Sequence, residues 1–343
     1  MNGPETARNI SESEDMCIHG NFTGCSHCIA EAKEKKDQLQ EFMESARNFD
    51  NSLDPREYNP ERLKRLEDLH TQIDSERELG GGQNESRIFS LKSNKEGVYK
   101  PSSGESTVKL DRNISEGKAF IRDWLNHQIE LNLEFNLVPP TIVRENSKGV
   151  GSVQEFVEGV DTAWSTSKTE MYETSEKIES KRQDGTLTPE EDKDKQTILW
   201  EAISKKAKKE QLIALAIQDF LTEQTDRHVN NFGLDEKGNV IAFDNPLSIP
   251  EKPEEWIDEE DPMSVGCKTI LLKKLAGLEI PSDTLGKLEW YKNTPERQQK
   301  LKEAFVLGLG QDLGARKFED FSSRIDFILT NKKVPSTMYK SLK

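Results

Sequence analysis

The chain reads as an α+β protein of two lobes, a small twisted antiparallel sheet with one helix followed by a mostly helical half, behind a helical extension. Three observations carry this. Strand–turn–strand patterns recur between residues 86 and 157. Apolar residues at helical spacing dominate before and after them. The length of 343 residues, with hydrophobic content of 33%, suffices for two cores.

The elements follow in order. Residues 1–30 form a Cys/His-bearing segment. Residues 31–79 form the extension. Ala30 to Phe49 interleaves charges with Leu39, Phe42 and Met43. Pro60 to Leu79 places Leu63, Leu66, Leu69 and Ile73 at helical spacing, and Gly80-Gly81-Gly82 ends that helix. Residues 80–160 make the sheet-bearing lobe. Arg87 to Lys92 alternates as a strand, Ser93 to Gly97 turns, and Val98-Tyr99-Lys100 returns before Pro101. A helix spans about Ser115 to Leu133. Leu137 to Val143 and Gly151 to Val157 are strand-like.

Residues 161–343 make the helical lobe. Thr162 to Glu210 is charged, with few apolar anchors, and reads as an insertion of solvated helices around a loop at Gly185. The Lys205 to Lys209 cluster is a solvated helix face. Gln211 to Thr222 is strongly apolar and predicts a buried helix. After Pro250 the chain is acidic, then helical.

Composition excludes several classes. Net charge is −15 and charged residues make up 32%. Bulk attraction to nucleic acid or an anionic membrane is therefore disfavoured. No apolar run approaches the roughly 20 residues of a membrane span. Met1 to Glu14 is polar and acidic, unlike a secretory signal, so a cytoplasmic protein is expected, with delivery by a specialised secretion machine left open.

The chemistry concentrates at Asp226-Arg227-His228-Val229-Asn230-Asn231, followed by Phe243-Asp244-Asn245. An acid, an amide five residues on, and a second acid after a short hairpin are what metal-assisted phosphoryl transfer requires. Asp226 would take or orient the proton of an attacking hydroxyl. Asn231 and Asp244 would offer hard oxygens to Mg²⁺ or Mn²⁺. Phe232 to Phe243 reads as strand, turn, strand. The competing reading is an ordinary polar loop. His228 is a candidate base or a loop-ordering group, and Arg227 a brace.

The other parts come in order. Lys100, at the end of a strand hairpin, is the candidate cation for nucleotide phosphates. Asp123 on the following helix, ahead of Glu116 and Glu130, is the candidate acid to hold it. Gly81 and Gly82 precede the first strand as a phosphate-cradling turn. The Gln154-Glu155-Phe156-Val157 segment would join the lobes and meet an adenine edge through the backbone of Gln154, Glu155 and Val157. Cys17, His19, Cys25 and Cys28 form a separate set with the ligand chemistry of a structural zinc knuckle, His27 competing with His19. Unrelated reduced thiols are the alternative.

The order Gly-Val-Tyr-Lys-Pro at 97–101, Leu-Val-Pro-Pro-Thr at 137–141, Gly-Ser-Val-Gln-Glu-Phe-Val-Glu-Gly at 151–159, Thr-Asp-Arg-His-x-x-Asn at 225–231 and Phe-Asp-Asn-Pro-Leu-Ser-Ile-Pro at 243–250 resembles the phosphatidylinositol 3-/4-kinase-like branch of the protein-kinase fold. That branch includes atypical protein kinases and bacterial effector kinases beside lipid kinases. The resemblance covers about Gly80 to Pro250. It implies ATP as phosphate donor, Lys100 on the phosphates, Asp226 on the substrate hydroxyl, and Asn231 and Asp244 on the metal. By analogy with effector kinases it implies action inside a host cell on a host protein, with a small-molecule or protein activator that no residue demands. Three departures stand out, one being that the Thr162–Glu210 insertion is longer than a minimal kinase needs. Pro246 occupies the place of a usual glycine, and the acid paired with the lysine is not a clear Glu. The acidic run Glu251 to Asp261 repels anionic lipid. A Ser/Thr protein kinase is expected, with a phosphoinositide kinase or a non-catalytic kinase-like binding module as alternatives.

Overall fold

The computed structural model describes residues 26–79, 85–105, 114–115, 118–146, 148–245, 247–251 and 269–336. It is a mixed α+β structure, a small antiparallel sheet beside helices, as the sequence predicts.

The extension contains α1 (Ser26–Asn51) and α2 (Pro60–Leu69). Asn59 caps α2 by accepting from the Glu61 and Arg62 amides, and Pro60 opens its first turn. The expected helix to Leu79 stops ten residues early. Ile73–Glu78 is instead strand β1 at the edge of the sheet. Ile73 suits either period, but the charges after it decide. Glu76 meets Arg87 and Arg77 meets Glu96 across the sheet, while most of the strand faces solvent. Such charges also blunt an exposed edge.

Strands β2 (Arg87–Leu91), β3 (Glu96–Pro101), β4 (Thr141–Asn146) and β5 (Gly149–Glu155) complete a five-stranded sheet of order β1-β2-β3-β5-β4. The lobe's sheet thus begins at Ile73, and β4 begins four residues later than the strand expected from Leu137. One face of the sheet packs Phe89, Leu91, Tyr99, Ile142 and Val153 against Leu66 and Leu69 of α2. Tyr99 stacks on Phe89 with ring centroids 4.9 Å apart. Helix α3 (Ala119–Leu133) is buried throughout. Glu105 receives the Ala119 and Phe120 amides, an acid placed where the helix start favours negative charge.

The extension is no appendage. Phe42 and Phe49 of α1 meet Trp124 of α3 edge-on, at 5.7 Å each. Arg297, at the far side, lies over the Tyr58 and Trp290 rings and donates to the carbonyls of Leu131 and Asn132 at the end of α3.

Beyond β5, strands β6 (Asp161–Thr162), β7 (Phe232–Leu234) and β8 (Val240–Ala242) form a second, three-stranded antiparallel sheet. Helices α4 (Ala163–Gln183) and α5 (Lys195–Lys206) flank a turn at Gly185; α4 is mostly solvated, whereas α5 buries Ile198, Leu199, Ala202 and Ile203, anchors that the charged composition hid. The basic cluster is structural: Lys205 pairs Glu170, Lys206 donates to the Thr166 carbonyl, and Lys208 donates to Asn239. Helix α6 (Lys209–Leu221) is buried from Leu212 onward. Helices α7 (Ile270–Leu275), α8 (Ser282–Lys292), α9 (Pro295–Leu309) and α10 (Gln311–Asn331) close the lobe around a core shared with α3 and α6.

Candidate active site

Alternation along β3 sets the site. Tyr99 points into the core, so Lys100 points to the opposite face. On that face Lys100 stands opposite Ser152 of β5 in the strand register. Asp123 of α3 meets both. Its Oδ2 accepts from Lys100 Nζ at 3.3 Å and from Ser152 Oγ at 3.2 Å. Its Oδ1 accepts the Asn245 backbone N–H at 2.9 Å. Lys100 Nζ also donates to Asp244 Oδ1 at 3.0 Å. One ammonium therefore joins α3 to the loop after β8.

Burial alone would lower the Lys100 ammonium. The charges of Asp123 and Asp244, with their hydrogen bonds, outweigh it, and its pKa is raised. Burial pushes the Asp123 carboxyl up, against the pull of Lys100.

Three further contacts fix α3 against the chain after Asp244. Asn126 donates to Ser248 Oγ. Arg122 Nε donates to the Ile249 carbonyl at 3.2 Å, and its Nη2 to Glu251 at 3.2 Å. Asp244 and Ile249 both lie in the left-handed region, φ 58° and 50°. For a β-branched residue such as Ile249 that conformation is costly, and the Arg122 and Thr222 hydrogen bonds at its carbonyl and amide hold it.

The Asp226 loop is built from Arg227. Its guanidinium is buried and paired with Asp219 of α6, Nη2 to Oδ1 at 3.0 Å. It also donates to the Asn231 carbonyl at 2.7 Å, the Phe243 carbonyl at 3.1 Å and Asn245 Oδ1 at 2.6 Å. One rigid fork thus ties helix, first loop and second loop together. The Phe243 amide donates to the Asn231 carbonyl at 3.2 Å, so Asn231 and Asp244 sit on adjoining segments. The Asn231 amide nitrogen donates to the Asp226 carbonyl at 2.8 Å, which presents the amide oxygen on its other side. Asp226 itself is half-buried. His228 is exposed, and its Nδ1 accepts the Asn230 amide at 3.2 Å, a loop-ordering contact.

Gln154 and Glu155 lie inside the sheet, paired with β3, and Gln154 with β4 as well. The Glu155 amide is spent on the Pro140 carbonyl at 2.8 Å and the Phe156 amide on the Glu96 carbonyl at 2.9 Å. Pro140 has no N–H to return to the Glu155 carbonyl. Of the three expected backbone contacts, this leaves the Glu155 carbonyl and, beyond the strand end, Val157. The Glu155 carboxylate is turned away, held by Arg65 of α2 at 2.8 Å from Nε.

Gly81, Gly82, Cys17, His19, Cys25, Glu116 and Pro246 lie outside the described residues, as does the side chain of Cys28, whose backbone begins α1. Among the described residues no group of three or more His, Cys, Asp or Glu side chains is placed to hold a metal ion. Asn231 and Asp244 offer one amide and one acid, hard oxygens suited to Mg²⁺ or Mn²⁺ with water and phosphate completing the shell.

Sequence reasoning missed Ser152, Arg122, Asn245 and Asp219. Only Asp219 carried a signal: it is the one acid within the apolar run Leu212 to Leu221, and a buried acid requires a partner.

No protein-family model matches the chain, and no curated protein matches it in sequence. Solved structures resemble its backbone. The Helicobacter pylori proinflammatory kinase CtkA superposes with a TM-score of 0.45 at 12% identity, covering 80% of this chain and 96% of that one. Hydra Fam20, solved with sugar, gives 0.46 at 14% identity, covering 80% and 88%. Golgi casein kinase with Mn/ADP bound gives 0.43 at 14% identity, covering 80% and 75%.

Proposed function

We propose that this chain is an ATP-dependent phosphotransferase that moves the γ-phosphate to a Ser/Thr hydroxyl of a protein. The observation that carries the reading is the ammonium of Lys100 between Asp123 and Asp244, beside the Arg227-braced loop of Asp226 and Asn231.

Lys100 would hold the nucleotide phosphates, with Asp123 keeping its ammonium charged and aimed. Asp244 and Asn231 would hold the divalent ion, which when bound offsets phosphate charge. Asp226 accepts the proton of the attacking hydroxyl as its oxygen bonds phosphorus, and the β–γ bridging oxygen leaves with ADP. Adenine is favoured by the Glu155 carbonyl, an acceptor for its amino group, and by the Val157 amide, a donor for its ring nitrogen.

The acceptor follows from charge. A net charge of −15 and the acidic run from Glu251 to Asp261 disfavour an anionic lipid and suit a basic protein surface. The test incubates wild type and Asp226→Ala with γ-labelled ATP, Mg²⁺ or Mn²⁺, a basic protein and phosphoinositide vesicles, with and without cell extract as a source of activator. Label on protein from wild type alone is expected. Label on lipid would move the acceptor assignment, and label on neither overturns the reading.

A further inference from the structure

The turn that delivers the chain from α6 into the Asp226 loop is held by a buried ionic clamp from α10. Glu223 follows α6 by two positions and precedes Asp226 by three. Its φ is 51°, a left-handed conformation more often given to glycine. Its carboxylate is buried, with 2% of the side chain exposed. Lys317 Nζ donates to Oε2 at 2.9 Å, and Arg324 donates to Oε1. Both cations are themselves buried on α10, two turns apart along its inner face. Burial alone would raise the Glu223 carboxyl. The Arg324 and Lys317 charges overcome this, and its pKa is lowered.

The chain on each side of Glu223 is tied to the site. The Thr222 carbonyl accepts the Ile249 amide at 2.7 Å. Gln224 Oε1 accepts the Asp226 amide at 3.1 Å. Thr225 donates twice to the Leu247 carbonyl, from N at 3.2 Å and Oγ1 at 2.9 Å. A shift of the Glu223 turn therefore reaches both acidic loops at once. A clamp of buried charges contributes little net stability, because desolvation offsets the attraction. Its geometric demand is what distinguishes it: two cations fixed on one helix allow the carboxylate a single place.

We infer that Glu223 is a positioning residue for Asp226, acting through Lys317 and Arg324 of α10. This rests on the proposed phosphoryl transfer for its kinetic consequence, not for its structural one. The experiment compares wild type with Glu223→Gln and with Lys317→Gln, which retains the Arg324–Glu223 pair and so guards against a variant that fails to fold. Kinetics and amide hydrogen exchange are measured on the full chain well below the unfolding midpoint. For Glu223→Gln, kcat should fall roughly ten- to a hundredfold with KM for ATP unchanged. Exchange in Gln224 to Asn231 should rise. Lys317→Gln should show the same signature at smaller size. Unchanged exchange in that loop overturns the inference even if no phosphate transfer is found in wild type. With an active wild type, an unchanged kcat or a change confined to KM also overturns it.

Discussion

Lys100 Nζ lies 3.0 Å from Asp244 Oδ1, a contact across 144 positions of sequence. Asp123 receives the same ammonium and also the backbone amide of Asn245, so the pair cannot shift independently of α3. Strand β3, helix α3 and the loop after β8 are thus coupled at one nitrogen.

Asp123→Asn should leave the fold intact and weaken the aim of Lys100. With the charge gone, the Lys100 ammonium leans on Asp244 and competes with a divalent ion for that carboxylate. The expected result is a fall in kcat/KM for ATP of about a hundredfold, with a lower Mn²⁺ affinity read by electron paramagnetic resonance. Equal Mn²⁺ binding in the two proteins would count against the coupling.

Arg227→Met should be strongly destabilising. It strands the buried Asp219 carboxylate and frees the Asn231 and Phe243 carbonyls, at a cost of about 3–5 kcal/mol. Adding Asp219→Asn should restore part of this in urea unfolding. If the double variant is no more stable than the single, the buried pair is not the main cause.

Nucleotide choice should follow the hinge. If the Glu155 carbonyl faces the base as proposed, GTP presents oxygen to oxygen and should support less than about a tenth of the rate seen with ATP. Val157→Pro removes one donor and should raise KM for ATP about tenfold, with little change in kcat. Competition assays with both nucleotides decide this, and equal use of GTP would reject the assignment.

Asp50 predicts a pH signature. Its Oδ1 accepts from Trp124 Nε1 at 3.3 Å and Gln128 Nε2 at 2.9 Å, joining α1 to α3. Burial raises its carboxyl to about 7, against those hydrogen bonds. Between roughly pH 4 and 7 the folded chain keeps a proton that the unfolded chain has released, so stability falls as pH rises through that window. Asp50→Asn retains an acceptor and removes the titration. Its stability relative to wild type should climb from pH 4 to 7 by on the order of 4 kcal/mol and then level off. Denaturant midpoints at four or five pH values measure this, and a difference that does not vary with pH contradicts it.

The sequence by itself determined the α+β class, the hairpin carrying Lys100, the buried helix leading to Asp226, and the acids, amide and lysine of the proposed site. These are local properties: period, turn residues and spacing repeat wherever the chain goes. It misjudged Ile73 to Glu78, where a helical spacing continued into a strand whose charges pair only across the sheet. Tertiary structure alone decided the rest. Ser152 reaches Asp123 because it faces Lys100 in register. Asp219 and Glu223 meet cations eight and about a hundred positions away. The Glu155 carbonyl receives no N–H from its cross-strand neighbour because that neighbour is Pro140. Each of these depends on which segments become neighbours, and hydrogen bonds and charges act over a few ångströms of space, whatever the distance along the chain.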